Sequence, residues 1–500
     1  MIEILAQLPL AQGGSGSNAV IKGIVRMTYT QQGNRVRAQD ASGWSHTKFA
    51  IVAAAAVAFC GCKDSKPASG FYPSDSHGVT LIGDISNPLA TRTYNFDGGQ
   101  IYNGRYYLAD RNAQGLTVID VATEQIVVQI GDSKVFPGQV IDSRTGVVRN
   151  DLSGPNGLAI VTGGVNDGLV FVGSDTSVAV VDPLQRRVVK TFPNLYPTHV
   201  TLSASASSTS PAVPFSAVLA DSPDGNRADA GCFDSKHRYM AFAHPDEAPN
   251  YLSFYDVDTL ENFAVMPIVD ALGLEGCVYD EANNTLIQVN DASVANGTGE
   301  LDILDPEKIA AAKGGSEIQI LDPADIFLDK FNIPCNGVSG QGPLGVDLNT
   351  SPGSNDAIVG CDPPYIGPGE PFGLGLPGNQ QVTVIMDRTT GDLRAAVPVG
   401  GADDVAYDDV SNRYFVAARR FTFNGIAQTN APTGTTFATP VMPSLLAIDA
   451  NPPYQVLAIV PTGGNAHSVS VDGASRKVFV PYAPGVAMFP GAGISVFSSH

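Results

Sequence analysis

Four polar residues occupy the same place in a recurring sequence pattern, and their side chains can do chemistry. Each stands five residues before an aspartate that closes a short apolar run; the four are Asp229, Glu275, Asp403 and His467. Carboxylate oxygens suit Ca²⁺ or Mg²⁺, and an imidazole favours a transition metal. Clustered carboxylates also raise one another's pKa, so one of them can act as a general acid or base near neutral pH. The set predicts a ligand-binding, metal-binding or acid–base site.

Five further residues bear on this site. Hydrophobic spacing adds Asn156 as a ligand-binding candidate, and Asp404 is an alternative inward-pointing acid beside one of the four. Asp97 is a weaker candidate at the corresponding place nearer the N-terminus. His199, one position out of register, is a candidate extra metal ligand, whereas His244 follows an outgoing strand and is expected on the opposite or outer side. The alternative for the whole set is hydrated polar residues that line a channel without binding anything.

The elements that must position these residues follow from a repeat. Six alternating apolar runs close with an aspartate, and a seventh, degenerate copy occupies 495–498; the aspartates are Asp120, Asp182, Asp256, Asp305, Asp387 and Asp449. A second strand-like pattern precedes each copy. Two strand patterns repeated seven times in the same order predict an all-β, seven-bladed β-propeller. The repeated aspartates are expected to accept backbone N–H bonds in the turns that follow and to be structural.

The repeats are longer than the roughly 40–45 residues of a compact blade. Long loop insertions are therefore expected at 134–153, 193–228, 306–343 and 419–443. In the third of these, a short helix is predicted near 309–313, ahead of a strand-like run at 318–321. An N-terminal strand at 79–83 is predicted to complete the last blade and so remove an exposed sheet edge.

The N-terminal region has the composition of an export signal. Lys48 precedes an apolar run over 49–61, which is too short to span a bilayer and suits the core of a signal peptide. The run ends beside Cys62, which resembles the lipidated residue of a lipoprotein signal; ordinary cleavage after 56–58 is the alternative. The domain prediction is an extension and signal segment over 1–62, a linker over 63–77 and a propeller over 78–500.

Export permits disulfide bonds. Four cysteines lie in the propeller, and of their three possible connectivities we predict Cys232–Cys277 with Cys335–Cys361. The net charge of −20 argues against a nucleic-acid partner, because phosphates require a basic face. The sequence therefore predicts an extracytoplasmic protein, periplasmic or secreted, with a possible lipid anchor to the membrane.

The segment 168–182 (GLVFVGSDTSVAVVD) and the run 477–481 (KVFVP) resemble the repeats of bacterial extracytoplasmic YVTN-repeat (YncE-like) seven-bladed propellers. That group includes noncatalytic binders. Looser relatives by fold are gluconolactonase- and regucalcin-like hydrolases, which hold a divalent cation at the channel mouth. The four same-register residues, which lie beneath long loops, favour a protein that binds a small molecule, a metal or a protein partner at the channel mouth, and a monomer is expected. The alternatives are a metal-dependent, lactonase-like hydrolase and a noncatalytic scaffold.

Overall fold

Alternating apolar and polar residues form short strands that pair into seven blades, as the computed structural model shows. It describes residues 76–87, 94–205, 212–221, 227–293, 295–335, 342–361, 382–421, 441–486 and 488–499, all within one unit that begins at Lys66. The predicted signal segment and Cys62 lie outside the described residues. Within those residues, no helix is long and apolar enough to cross a membrane.

Each blade is an antiparallel sheet whose strands follow one another along the chain. Blade 1 contains β2 (Phe96–Tyr102), β3 (Arg105–Asp110), β4 (Gly115–Asp120) and β5 (Gln125–Gly131). Blade 2 contains β6 (Leu158–Ile160), β7 (Val170–Gly173), β8 (Ser177–Asp182) and β9 (Arg187–Pro193). Blade 3 contains β12 (Gly231–Asp234), β13 (Tyr239–His244), β14 (Asn250–Asp256) and β15 (Glu261–Ile268). Blade 4 contains β16 (Leu274–Asp280), β17 (Thr285–Asn290), β18 (Glu300–Leu304) and β20 (Phe327–Asn332).

The remaining blades repeat this order. Blade 5 contains β21 (Pro343–Leu348), β22 (Asp356–Cys361), β23 (Thr383–Asp387) and β24 (Leu393–Val397). Blade 6 contains β25 (Val405–Asp408), β26 (Arg413–Ala418), β27 (Ser444–Asp449) and β28 (Val456–Pro461). Blade 7 contains β29 (Ser470–Asp472), β30 (Lys477–Tyr482), β31 (Gly493–Ser498) and β1 (Leu81–Ser86). The seven-bladed, all-β prediction is confirmed.

The ring closes at blade 7, where the first strand of the described chain pairs with the last. β1 runs antiparallel to β31, with Leu81 opposite Phe497 and Ser86 opposite Gly493. The Ser498 hydroxyl also accepts a hydrogen bond from the backbone N–H of Thr80, 3.1 Å away. The predicted closure is confirmed, and it leaves β31 with partners on both sides.

The first strands of successive blades contact one another all the way round, from β2 through β29 and back to β2. Small residues make this approach possible. A Cβ atom on Gly157 would lie 2.5 Å from the backbone oxygen of Asp229, and one on Gly345 would lie 2.6 Å from that of Asp403. Seven apolar clusters fill the spaces between neighbouring blades. The core is therefore a ring of blade-to-blade contacts.

Five of the six repeated aspartates end a third strand and Asp305 directly follows one, and all six accept N–H bonds from the residues that come next. Asp182, for example, accepts from the backbone of Leu184 and Gln185 at 2.8 and 2.9 Å. The other five do the same with their own turns. Their predicted structural role is confirmed. We call this end of the propeller, where first and third strands terminate, the turn end.

Two insertions form structure of their own. The insertion over 193–228 contains the hairpin of β10 (Leu195–Thr201) and β11 (Ser216–Asp221), which contacts β15. The insertion over 306–343 contains the short helices α1 (Pro306–Ala310) and α2 (Pro323–Ile326), with Asp305 capping the first. A helix is thus present near the predicted position, but it covers Pro306–Ala310 and not 309–313.

The run at 318–321 does not serve as the fourth strand of blade 4. Its strand, β19 (Gln319–Ile320), pairs in parallel with β15 at the outer edge of blade 3. The fourth strand of blade 4 is β20, which the sequence pattern did not single out. The helices before it leave β18 at the turn end, where Glu307 pairs with Lys236 at 2.8 Å.

Both predicted disulfides are present. Cys232–Cys277 joins the first strands of blades 3 and 4, and Cys335–Cys361 joins the chain after β20 to the end of β22 in blade 5.

Candidate functional site

The first strand of every blade begins at the end opposite the turn end, and we call this end the mouth. Six predicted or candidate residues lie at these strand starts and act on one another electrostatically. We call them the mouth ring: Asp97, Asp229, Glu275, Asp403, Asp404 and His467. They come from blades 1, 3, 4, 6 and 7. The common register read from the sequence therefore brings Asp229, Glu275, Asp403 and His467 together, because first strands of similar length separate each of them from an aspartate at the turn end.

Arg111 anchors the blade 1 side of the ring. This side chain is 4 % exposed, forms an ion pair with Asp97 and donates to the Asn156 side chain at 2.7 Å. Burial lowers the pKa of Arg111, and the charge of Asp97 opposes that shift. Asn156 is fully buried, and its amide nitrogen donates to the Ala228 oxygen at 3.1 Å. Asn156 therefore positions Arg111 and links blade 2 to blade 3; its contact with a ligand stays a prediction.

Arg227 anchors the blade 3 side of the ring. Its guanidinium donates to Asp229 at 2.6 and 2.9 Å and lies 3.5 Å from Asp246. Burial disfavours the charged form of Arg227 and so acts to lower its pKa. The negative charges of the surrounding carboxylates, of which Asp229 contributes most, outweigh burial, and the pKa is raised. Burial raises the pKa of Asp229, and Arg227 opposes that shift.

Blade 6 supplies two neighbouring acids with different surroundings. Asp403 forms an ion pair with Arg419 at 2.8 Å. Asp404 forms no ion pair among the described residues, and burial together with the charge of Asp403 raises its pKa well above the usual range. The backbone N–H of Asp404 donates to the oxygen of His467 at 2.9 Å, which ties blade 6 to blade 7.

Glu275, like Asp404, is an acid of the ring that forms no ion pair among the described residues, although the charge of Arg227 acts on it. Its side chain forms no ion pair or hydrogen bond with any described residue, and it is neither fully buried nor fully exposed. Burial raises its pKa well above the usual range, and the charges of Asp291, Asp229 and Asp403 add to that effect. Burial and the neighbouring acids therefore favour the protonated form of this carboxyl group, and a shifted proton affinity of this kind is common in general acids and bases.

His467 is held in one tautomer. Its Nδ1 lies 2.7 Å from the backbone oxygen of Asn465; because a carbonyl only accepts, Nδ1 carries the proton. The ring stacks on Phe96 with centroids 4.6 Å apart and planes 9° apart. Burial lowers the pKa of His467, although the charge of Asp403 opposes that shift. A neutral His467 thus keeps a lone pair on Nε2.

The other two histidines do not follow the predictions made for them. The placement of His244 on the opposite or outer side is wrong, because it ends β13, whose end lies beside the start of β12 at the mouth. His244 is fully buried, and burial lowers its pKa to about 3. His199 lies exposed on hairpin strand β10, and no contact among the described residues joins it to the mouth ring. Its role as an extra metal ligand stays a prediction.

The described residues contain no group of three or more His, Cys, Asp or Glu side chains arranged to hold a metal ion. The predicted ligands Asp229, Glu275, Asp403 and His467 are close enough to interact, but two of them are already paired with arginines. A divalent cation at the mouth stays a prediction.

A cavity of about 660 Å³ lies elsewhere, on the outer side of blades 3 and 4. Its walls come from hairpin β10–β11, the two helices and β19, and no mouth-ring residue contributes to it.

The arginines of the mouth were missed from the sequence, yet two of them carry a readable signal. Arg111 directly follows β3 and Arg419 directly follows β26, and both are the second strands of their blades. The end of a second strand lies beside the start of the first, because the two pair as an antiparallel hairpin. Extending the register to that position would have found both arginines and placed His244 correctly.

No protein-family model matches the chain. The search of the curated proteins also gave no match. Among solved structures, the chain is similar to hydrazine synthase of Kuenenia stuttgartiensis, with 11 % sequence identity over 85 % of this chain and 98 % of that chain and a TM-score of 0.49. A likeness at this level carries no information about activity.

Proposed function

We propose that the chain is an exported propeller that binds a small ligand at its channel mouth. The observation that carries the proposal is Glu275, which forms no ion pair with a described residue inside a ring whose other charged groups are mostly paired. Groups with strongly shifted pKa values are enriched at binding and catalytic sites. Propellers also commonly bind ligands or partners where loops surround the channel.

Export is part of the proposal. Two disulfides fit an oxidising compartment, and the run over 49–61 fits a signal peptide. Membership of the YVTN-repeat group and lipidation at Cys62 belong to the same proposal. Labelling of the expressed protein with a radioactive fatty acid tests the anchor: incorporation that a Cys62→Ser variant abolishes supports it, and unlabelled wild-type protein contradicts it.

A thermal-shift screen of small cationic, anionic and neutral compounds tests the binding site. Compounds that stabilise the wild type should lose their effect in Glu275→Gln and keep it in Glu281→Gln. Glu281 is the matched control because it is exposed in the turn that follows the same strand, at the turn end. The proposal fails if no compound distinguishes the two variants.

A metal-dependent hydrolase is the second candidate, favoured by the raised pKa of Glu275 and the free Nε2 lone pair of His467. Mouth-ring side chains would hold the cation, which would supply Lewis-acid polarisation of a carbonyl, and Glu275 would serve as the base. Turnover of simple lactones that is lost with EDTA and in Glu275→Gln would support it. Metal-free purified protein without lactone turnover after Ca²⁺ or Zn²⁺ addition would contradict it.

A further inference from the structure

Blade 4 contains a cluster of one lysine and two acids that the proposed function does not use. Its members are Glu300 and Asp302 on β18 and Lys330 on the neighbouring strand β20. Asp302 and Lys330 lie directly opposite each other in the strand register, so their side chains share one face of the sheet. Both acids are fully buried, whereas the lysine side chain is 26 % exposed.

The lysine nitrogen lies within reach of both acids. Lys330 Nζ lies 2.9 Å from Glu300 Oε1 and 3.6 Å from Asp302 Oδ1. Neither carboxyl oxygen of Asp302 accepts a hydrogen bond from a described residue, although both oxygens are buried. Paired strands therefore hold an amine next to a buried carboxyl group that no donor stabilises, at close to the separation from which two groups react.

The two acids favour different protonation states. Burial raises the pKa of Asp302 well above its usual range; the charge of Lys330 opposes that shift, and a hydrogen bond with Glu300 adds to it. Burial acts in the same direction on Glu300, but hydrogen bonds from Asp302, Lys330 and Ser293 outweigh it and lower the pKa of Glu300. Asp302 is thus favoured as a neutral acid, which an amine can attack, and Glu300 as a carboxylate, which can accept a proton.

We propose that Lys330 and Asp302 form an intramolecular isopeptide bond between the third and fourth strands of blade 4. Glu300 accepts one proton from the Lys330 ammonium group, and the neutral amine attacks Cγ of Asp302. The Nζ–Cγ bond forms, and the bond from Cγ to the hydroxyl oxygen breaks. The leaving hydroxyl takes a second proton from the nitrogen and departs as water. Glu300 ends protonated, and the step needs no oxidant or cofactor.

The bond fixes a strand that the sheet holds from one side. β20 comes after the insertion that contains α1, α2 and β19, and β18 is its one strand partner within the described part of the sheet. The amide closes a loop over 303–329 and so reduces the entropy of the unfolded chain. It therefore stabilises the outer edge of blade 4 where the chain returns from a long insertion.

A second lysine–aspartate pair serves as an internal control. Lys313 Nζ lies 3.0 Å from Asp256 Oδ2, which is closer than the pair in blade 4. Asp256, however, accepts hydrogen bonds from the backbone N–H groups of Asp258 and Thr259 at 2.8 and 3.2 Å. These bonds stabilise its carboxylate form, which an amine does not attack, so this pair should stay unlinked.

Mass spectrometry of the purified full chain, with its disulfides reduced, tests the proposal. The wild type should be lighter by one water molecule than the mass calculated from its determined N-terminus, whereas Lys330→Arg should have its full calculated mass. Tandem spectra should contain a branched tryptic peptide that links Asp302 to Lys330, and none that links Asp256 to Lys313. Lys330→Arg keeps the positive charge, and a thermal melt checks that the variant folds.

Glu300→Gln tests the proton acceptor while both bonded residues remain. This variant should lose the branched peptide, because a carboxamide does not accept the ammonium proton. A branched peptide at full yield in Glu300→Gln would overturn the role given to Glu300.

Three results would overturn the isopeptide bond itself. The first is a wild type of full calculated mass, and the second is a loss of water that persists in Lys330→Arg. The third is a branched peptide that joins Lys330 to Asp270, whose carboxylate lies 3.5 Å from Nζ, instead of to Asp302. None of these measurements depends on ligand binding at the mouth, so the bond and the proposed function stand or fall separately.

Discussion

Strand β16 carries an acid near each of its ends, and the surroundings of the two acids differ. At the turn end, Asp280 is 2 % exposed, forms an ion pair with Arg388 and accepts from the Ala282 backbone at 3.1 Å. Near the mouth end, Glu275 forms no ion pair with any residue that the structure describes, and burial raises its pKa. The same strand thus holds Asp280, whose bonds stabilise the fold, and Glu275, whose side chain bonds to no described residue.

Acids of other blades differ in the same way between the turn end and the mouth. At the turn end, hydrogen bonds from the backbone and side chain of Thr123 lower the pKa of Asp120 to about 2. At the mouth, burial raises the pKa of Asp229, Glu275 and Asp404. Acids that accept hydrogen bonds from several donors stabilise turns. Acids that lie close to other acids destabilise the folded state, and a bound ligand can offset that destabilisation.

The largest expected loss of stability comes from removing a buried ion pair at the turn end. Arg388→Met leaves the buried Asp280 carboxylate uncompensated between blades 4 and 5, and this should lower the free energy of unfolding by about 3 kcal/mol. Urea denaturation measures the loss. Arg394→Met is the control, because Arg394 is 44 % exposed and its ion pair with Asp387 should contribute less than about 1 kcal/mol. Equal losses would show that burial does not distinguish the two pairs.

A smaller effect is expected where the first strands meet at the mouth. Gly157→Ala places a Cβ atom 2.5 Å from the Asp229 oxygen, and the backbone of blade 3 must shift to relieve the clash. The expected loss is about 1–3 kcal/mol, measured by urea denaturation. Gly491→Ala should stay within about 0.5 kcal/mol, because nothing lies within 4 Å of its added Cβ. Similar losses in both variants would contradict the close packing of the first strands.

Features of the structure that come from local or repeated sequence patterns could be predicted, whereas contacts between segments distant in the sequence could not. Strand repeats, turn aspartates and the closing strand are local or periodic patterns, so the architecture and even the common register of Glu275 and His467 could be read. The ion pairs of the ring were not predicted: Arg111 directly follows β3, at a register position that the strand patterns did not include, and Arg227 lies just before Asp229 in an insertion that carries no repeat pattern. The fourth strand of blade 4 was missed because two short helices and β19 come before it, and β19 carries the stronger strand pattern.

Glu275 itself gives the third prediction, and the sign follows from its raised pKa. An acid whose pKa is higher in the folded state than in the unfolded chain destabilises the fold as pH rises above its ordinary value of 4.5. Glu275→Gln cannot ionise, so it should be more stable than the wild type at about pH 8, by on the order of 1 kcal/mol, and equally stable near pH 4. Denaturation at both pH values measures the difference. A variant less stable than the wild type at high pH would mean that Glu275 is paired in solution.

The smallest effect is expected from a single turn aspartate. Asp182→Ala removes the acceptor for the backbone N–H groups of Leu184 and Gln185, which water can replace at this partly exposed turn. Stability should fall by about 0.5–1 kcal/mol, while Asp182→Asn, which keeps an acceptor oxygen, should lose less. Neither variant should change the thermal shift that a ligand causes at the mouth, because each blade fixes its two ends through separate hydrogen bonds. If Asp182→Ala reduces that shift as strongly as Glu275→Gln does, the two ends are coupled and the division of roles between them does not hold.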